Sequence, residues 1–305
     1  MRILVTGGAG FIGSHLCEAL LAGGHEVVVA DNLTTGRAAN VPAGAELATI
    51  DVTSAEIERL VVDFAPEAVF HHAAQVDVRR SVVDPTFDAE VNVVGTVRVG
   101  TAAARAGTKV LVLASSGGAV YGEQRDFPAD EGHATKPESP YGISKLCAEL
   151  YLGMFSRSAG LRAVALRFGN VYGPRQDPHG EAGVVAIFCG NLLAGRPLVV
   201  YGDGKQTRDF VHVDDAVAAS LAALAATCMR GSYNIGTGRE TDVLTVARLL
   251  GGPGVTIEHR PPRAGEQRRS VIDPSRAAME LGWKPKVGVE VGLLRTLEWF
   301  RAQQT

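Results

Sequence analysis

The chain opens on Arg2-Ile3-Leu4-Val5-Thr6, a short β-branched run, and passes at once into Gly7-Gly8-Ala9-Gly10-Phe11-Ile12-Gly13 and a helical pattern. A glycine-rich turn between a buried strand and a helix constrains a chain severely. The glycines allow the tight turn, let backbone N–H groups at the helix N-terminus approach a pyrophosphate, and let the helix pack closely on the strand. Such a turn is common by itself. It gains meaning from Asp31, which ends the next strand 18 residues beyond Gly13. A carboxylate there binds the hydroxyls of an adenosine ribose and repels the 2′-phosphate of NADP, so the expected cofactor is NAD; a plain turn residue is the weaker reading of Asp31.

Through residue 115 short apolar runs alternate with amphipathic ones: Ile3–Thr6, Gly13–Leu21, Glu26–Ala30, Ser54–Phe64, Ala68–His71, Asp88–Arg105 and Lys109–Ser115. This is a βαβ series, and near-continuous apolar strands imply a parallel sheet buried on both faces with ligands at the strands' carboxyl ends. From about residue 170 the rhythm loosens into Pro/Gly-rich loops at 173–183 and 251–265, with short strands at Leu198–Tyr201 and Ser232–Ile235. The expected architecture is a Rossmann-type, doubly wound α/β fold with a smaller C-terminal α/β substrate-binding region. Residues 1–168 form the dinucleotide half and 169–305 mainly the substrate half, some of whose segments return to the first.

Thirty basic against 33 acidic residues, without a basic cluster, leave no electrostatic footprint for nucleic acid or an anionic membrane, so neither partner is expected. The longest apolar run, from Ala216 to Met229, is too short to span a bilayer and reads as a packed helix. No secretory signal is expected, because Arg2–Thr6 runs straight into the Gly-rich turn without an apolar h-region or cleavage site. Cys17, Cys147, Cys189 and Cys228 lack metal-type spacing and read as reduced core residues, which points to the cytoplasm. His71 and His72 are neighbours on a strand and face opposite ways, so they cannot chelate one metal, and no metal site is expected.

The chemistry concentrates in Ser115-Ser116-Gly117-Gly118-Ala119-Val120-Tyr121-Gly122 and Tyr141-Gly142-Ile143-Ser144-Lys145. Tyr141 and Lys145 share one helix face. An ammonium beside the phenol, with a nicotinium charge nearby, is expected to lower its pKa from about 10 toward neutrality and make Tyr141 a base. Asp51-Val52 follows the apolar stretch Leu47–Ile50, a position from which a side chain reaches adenine; the rival reading is a helix N-cap supported by Thr53 or Ser54.

Taken together, TGGAGFIGSHL at 6–16, Asp31-Asn32, HHAAQVDVRRSVVDP at 71–85, NVVGT at 92–96, SSGGAVYG, YGISK, RFGNVYGPRQ at 167–176, TRDFVHVDD at 207–215 and NIGTG at 234–238 resemble the UDP-glucose 4-epimerase group of the extended short-chain dehydrogenases/reductases. The resemblance runs nearly end to end. It implies that Gly7, Gly10, Phe11, Ile12, Gly13, Asp31, Asn32, Asp51, Val52, Ala73, Gln75, Asn92 and Lys145 contact NAD, and that Asn170, Tyr201, Arg208 and Arg263 hold the UDP moiety. Guanidinium forks suit a diphosphate and an aromatic or amide suits uridine; surface ion pairs are the rival reading of Arg208 and Arg263. It also implies a homodimer formed through the helical stretches Phe87–Arg105 and Ser144–Arg157, with burial inside one subunit as the alternative.

Two positions depart from the group's pattern. The usual catalytic Ser or Thr aligns with Gly117, which leaves Ser116 as the expected replacement, with Ser115 as the weaker choice. Ser270 stands where a pocket-narrowing tyrosine is familiar, and its size would admit N-acetylated or C6-oxidised sugars. Arg175 is a candidate contact for a uronate carboxylate, or else a loop anchor. The expected activity is NAD-dependent epimerisation at C4 of a UDP-hexose, UDP-glucose/UDP-galactose first and the glucuronate or N-acetylglucosamine series as alternatives. A dehydratase or decarboxylase would need acid/base groups where this chain has Gly118-Ala119. Intact Tyr141 and Lys145 disfavour a non-catalytic NAD sensor.

Overall fold

A computed structural model describes residues 1–179, 183–227, 230–263 and 267–303; Cys228 and Met229 lie outside the described residues. The first half runs β1 (Arg2–Thr6), α1 (Phe11–Ala22), β2 (Glu26–Ala30), β3 (Glu46–Ala48), α2 (Ala55–Phe64), β4 (Ala68–His71), α3 (Val78–Val83), α4 (Pro85–Ala89), a π-helical turn at Glu90–Val94, α5 (Gly95–Arg105), β5 (Val110–Ser116), α6 (Gly117–Val120), α7 (Pro140–Ser158) and β6 (Arg162–Phe168). The second half comprises β7 (Asn170–Tyr172), α8 (Val184–Leu193), β8 (Leu198–Tyr201), β9 (Thr207–Arg208), β10 (Phe210–His212), α9 (Val213–Ala225), β11 (Gly231–Ile235), β12 (Thr241–Asp242), α10 (Val243–Gly251), β13 (Ile257–Arg260), α11 (Ser275–Glu280) and α12 (Val289–Ala302).

The apolar runs become a seven-stranded sheet in the order β11-β6-β5-β4-β1-β2-β3, every pair parallel. Alternate residues of one strand feed opposite cores: Ile3 and Val5 pack with α1 and α9, whereas Leu4 packs with α2, α5 and α7. A third core gathers Phe188, Leu198, Val246, Leu293 and Leu297 of α8, β8, α10 and α12. The order reverses at β1, which has β2 on one side and β4 on the other; such a switch point opens a crevice beyond the strand ends. The registers Thr6↔Ala30, Thr6↔His71 and Ser116↔Phe168 bring those ends to one rim.

The long helix expected over Asp88–Arg105 is broken by the π-helical turn, which places Asn92 off the regular helical track. Chain from the second half returns to the sheet: β11 pairs with β6 at the edge, and α9 packs on α1, β5 and β6. Cys17 and Cys189 are free and buried, and burial pushes both thiols up to about 12; Cys147 is free and half-buried. Among the described residues no helix is long and apolar enough to cross a membrane.

Candidate active site

The glycine-rich turn is shaped by contact as much as by backbone freedom. Gly7 has φ +69°, and a Cβ there would lie 2.6 Å from the Ala73 nitrogen; one on Gly13 would lie 2.2 Å from the Gly7 carbonyl oxygen. The turn, the start of α1 and the end of β4 therefore touch backbone to backbone. Gly10 is the N-cap of α1 and offers no side chain, and the first helical turn, with Phe11 and Ile12, holds no acidic residue. The positive end of α1 is thus left for an external anion.

Asp31 is buried, and its carboxylate accepts the Ala9 N–H at 3.0 Å and the Leu33 N–H at 2.9 Å. Those bonds bind the acid to the glycine-rich loop and still leave acceptor lone pairs for a ribose. Next to it, Asn32 Nδ2 donates to Asp51 Oδ2 at 2.8 Å, and Asp51 Oδ1 accepts from the Thr53 N–H and hydroxyl. Burial pushes the Asp51 carboxyl up, but the Thr53 and Asn32 bonds prevail and hold it below its usual value. The N-cap of α2 is Ser54, so Asp51 stays on the rim. Val52 is buried against Gly95, where a Cβ would fall 2.9 Å from Val52 Cγ2.

Gln75 and Asn92 hold each other. The Gln75 N–H donates to Asn92 Oδ1 at 3.0 Å, and Asn92 Nδ2 returns a bond to the Gln75 carbonyl at 2.9 Å. Both amides also donate to Asp88 Oδ1, a buried carboxylate that the sequence reading passed over. Its signal was there: Asp88 and Asn92 stand at i, i+4 and so share one face of a helix. His71 sits between Thr6 Oγ1 (2.7 Å) and Thr96 Oγ1 (3.1 Å), while the His72 ring stacks on Phe168. Among the described residues no three metal-binding side chains come together.

Beyond β5 the two serines part company. Ser115 donates to Glu149, which also grips Arg167 at 2.6 Å; Arg167 donates to the Tyr121 hydroxyl and that hydroxyl to Asn234, a buried network absent from the sequence reading. Ser116 points the other way, and its hydroxyl acts on the Tyr141 phenol, favouring ionisation. Tyr141 stands in the first turn of α7, where Ser139 caps the helix, Pro140 sets the backbone, and the Tyr141 N–H donates to Ser81 Oγ at 3.1 Å. Lys145, one turn on, has its ammonium 5.8 Å from the Tyr141 ring centre and donates to the Ala114 carbonyl at 3.0 Å.

Burial dominates both groups. It pushes Tyr141 up to about 12 against the effect of the Ser116 hydroxyl, with Asp88 adding to the rise, and it pushes Lys145 down to about 8 against the charges of Asp88 and Glu149. Within the protein alone desolvation decides the phenol, and the lowering expected of Lys145 with a nicotinium charge nearby does not register.

Gly117 is crowded: a Cβ there would meet Ile272 Cδ1 at 2.8 Å, so the pattern's usual hydroxyl residue fits only if the Ile272 side chain shifts. A Cβ on Gly118 would instead meet Ser270 Oγ at 3.7 Å, Asn170 Oδ1 at 3.9 Å and Ser116 Oγ at 4.0 Å. These three polar groups thus converge around the space in front of Gly118. Arg263 lays its guanidinium 3.8 Å over the Tyr201 ring, and Arg208 donates to the Thr207 and Gln267 carbonyls. Arg175 takes the loop-anchor alternative: at φ +66° its guanidinium turns to α1, onto Ser14 Oγ at 3.0 Å and Glu18. Both ends of the fork are engaged there.

Comparison with known proteins agrees with this geometry. Residues 3–236 match the model of the NAD dependent epimerase/dehydratase family. The chain is 47% identical to the UDP-glucose 4-epimerase of Mycolicibacterium smegmatis over 99% of each. It superposes on the UDP-glucose 4-epimerase of Thermotoga maritima, solved with UDP-glucose, with a TM-score of 0.97 and 43% identity over 100% of both chains. On the UDP-glucose 4-epimerase of Thermus thermophilus, solved in complex with NAD, the TM-score is 0.93, at 46% identity over 99% of both. Sequence, sheet topology and the uncapped glycine turn therefore converge, and the chain belongs to the NAD dependent epimerase/dehydratase family.

Proposed function

We propose that the protein interconverts UDP-glucose and UDP-galactose by NAD-dependent epimerisation at sugar C4. The observation that carries this reading is the meeting of Ser116, Asn170 and Ser270 around Gly118, with Ser116 acting on the Tyr141 phenol and Lys145 one turn beyond Tyr141. The relatives' activity supports it.

In this reading residues 1–168, together with 213–225 and 231–235, hold the cofactor, and most of 169–305 holds the substrate. Gly7, Gly10, Phe11, Ile12 and Gly13 cradle the pyrophosphate. Asp31 and Asn32 take the adenosine ribose, Asp51 and Val52 flank the adenine, and Ala73, Gln75, Asn92 and Lys145 line the nicotinamide side. These residues fit the group: the N-terminus of α1 is uncapped, and its glycines are positions a side chain would block. Held by these residues, NAD would supply a reversible hydride acceptor for sugar C4. Tyr141 takes the proton of the 4-hydroxyl and gives it back, Ser116 steadies the oxygen, and the Lys145 ammonium favours the phenolate. Arg208, Arg263, Tyr201 and Asn170 hold the UDP, so the 4-keto sugar stays tethered while it presents its other face. Gly118 and Ala119 offer no acid or base for elimination, which argues against a dehydratase.

The active form in this reading is a cytoplasmic homodimer. Ile143, Leu150, Tyr151 and Met154 leave an exposed apolar stripe on α7, with Val94 exposed just before α5. The function is tested by incubating the purified protein with UDP-glucose, UDP-N-acetylglucosamine and UDP-glucuronate in parallel and separating the products by chromatography. UDP-galactose is expected from UDP-glucose. Turnover confined to either other sugar would overturn the substrate, and none at all would overturn the activity.

A further inference from the structure

The Asp88 carboxylate has no part in the mechanism above, yet it is 0% exposed. Oδ1 accepts from Gln75 Nε2 at 2.8 Å and Asn92 Nδ2 at 3.1 Å, while Oδ2 has no hydrogen-bond partner among the described residues. Linking two amides needs only an acceptor oxygen, which a neutral asparagine supplies. A buried ionised group with an unshared oxygen is costly to keep, and the charge is superfluous to the hydrogen bonds. It is not superfluous to the neighbours. Across the α4–α7 contact it opposes ionisation of Tyr141 and supports the charge of Lys145.

The other groups facing this pair are accounted for. The Ser116 hydroxyl of β5 favours ionisation of the phenol. Glu149 of α7 acts on Lys145, but its charge is matched by Arg167 of β6 at 2.6 Å. His71 and His72, at the end of β4, are held down to about 3 and about 4 by burial, with Lys145 contributing, and so stay uncharged near neutrality. Asp88 is the negative charge in this set that faces Lys145 while bonded only to neutral amides among the described residues.

We propose that Asp88 is a positioning residue of the reaction: its buried charge, held in place by Gln75 and Asn92, acts on the Tyr141–Lys145 pair and sets the pH at which Tyr141 releases its proton. The proposal rests on the reading of Tyr141 as the base. Asp88→Asn keeps the size and one acceptor oxygen and removes the charge.

Two measurements test it. In an ultraviolet difference titration of the Tyr141 phenolate, with Tyr141→Phe as the blank, the midpoint should fall by about one pH unit in Asp88→Asn, the low end of the effect of a nearby like charge. The acid limb of kcat/KM for UDP-glucose should move the same way. Asp88→Ser, smaller and also neutral, should show the same shift and replaces the amide variant if that does not fold. Unchanged midpoints in a folded neutral variant, even a slower one, would make Asp88 merely structural and overturn the proposal. Failure of the wild type to epimerise UDP-glucose would sink the functional reading instead, while the phenol titration would still read Asp88.

Discussion

Tyr141 and Ser116 form the smallest unit whose removal should silence the site. Tyr141→Phe deletes the proton acceptor and little else, so turnover should vanish while NAD stays bound; measuring both separates chemistry from cofactor retention. Ser116→Ala should lower kcat by ~10²–10³, the usual loss for one preorganised donor, with a modest change in KM and an unchanged thermal midpoint. Near-normal turnover with intact folding would mean that Tyr141 works without a serine. Gly117→Ser restores the hydroxyl familiar at that position, yet Ile272 occupies the space 2.8 Å from where its Cβ must go. It should cost about 1–3 kcal/mol in urea unfolding, as overpacking does, and should not rescue Ser116→Ala. The spacing of Tyr141 and Lys145 was readable from the sequence, because i, i+4 on a helix fixes a shared face. The crowding at Gly117 was not, since Ile272 arrives from 155 residues away in the chain.

At the scale of elements, α5 and α7 pack closely enough to exclude a methyl group. A Cβ on Gly100 would fall 2.3 Å from Phe155 Cε2. Gly100→Ala improves helix propensity by about 1 kcal/mol, but here it should lower the urea midpoint, because Phe155 must leave its packed position. The outer face of α7 is a different matter. Leu150 is 66% exposed, and Leu150→Glu should turn a sedimenting dimer into a monomer without loss of fold; a wild type that is monomeric at micromolar concentration would remove the dimer altogether. Hydrophobic periodicity located both helices. It did not reveal the π-helical turn at Glu90–Val94, which follows from tertiary demands on Asn92 and Thr96, the latter bonded to His71.

Across the whole molecule, two histidines at the end of β4 tie stability to pH. His71 is lowered from 6.5 to about 3 and His72 from 6.5 to about 4, in both cases first by burial. The unfolded chain takes up these protons where the folded one cannot. Their contribution is therefore complete above pH 6.5 and is lost as pH falls toward those folded values. The thermal midpoint should drop on acidification, and the deficit of His71→Asn relative to wild type should narrow from about pH 7 to about pH 4. A constant deficit would mean that His71 is not the linked group. By itself the sequence determined the order of strands and helices in the first half, the glycine turn with its acid at Asp31, and the shared helix face of Tyr141 and Lys145, because each depends on local spacing or on a strand that ends where its apolar run ends. Only the tertiary structure decided that burial raises the phenol, that Arg175 is spent on α1, and that Asp88 keeps one buried oxygen without a partner among the described residues. Those outcomes depend on which distant segments exclude water and which side chains they bring together, and a one-dimensional pattern does not carry that information.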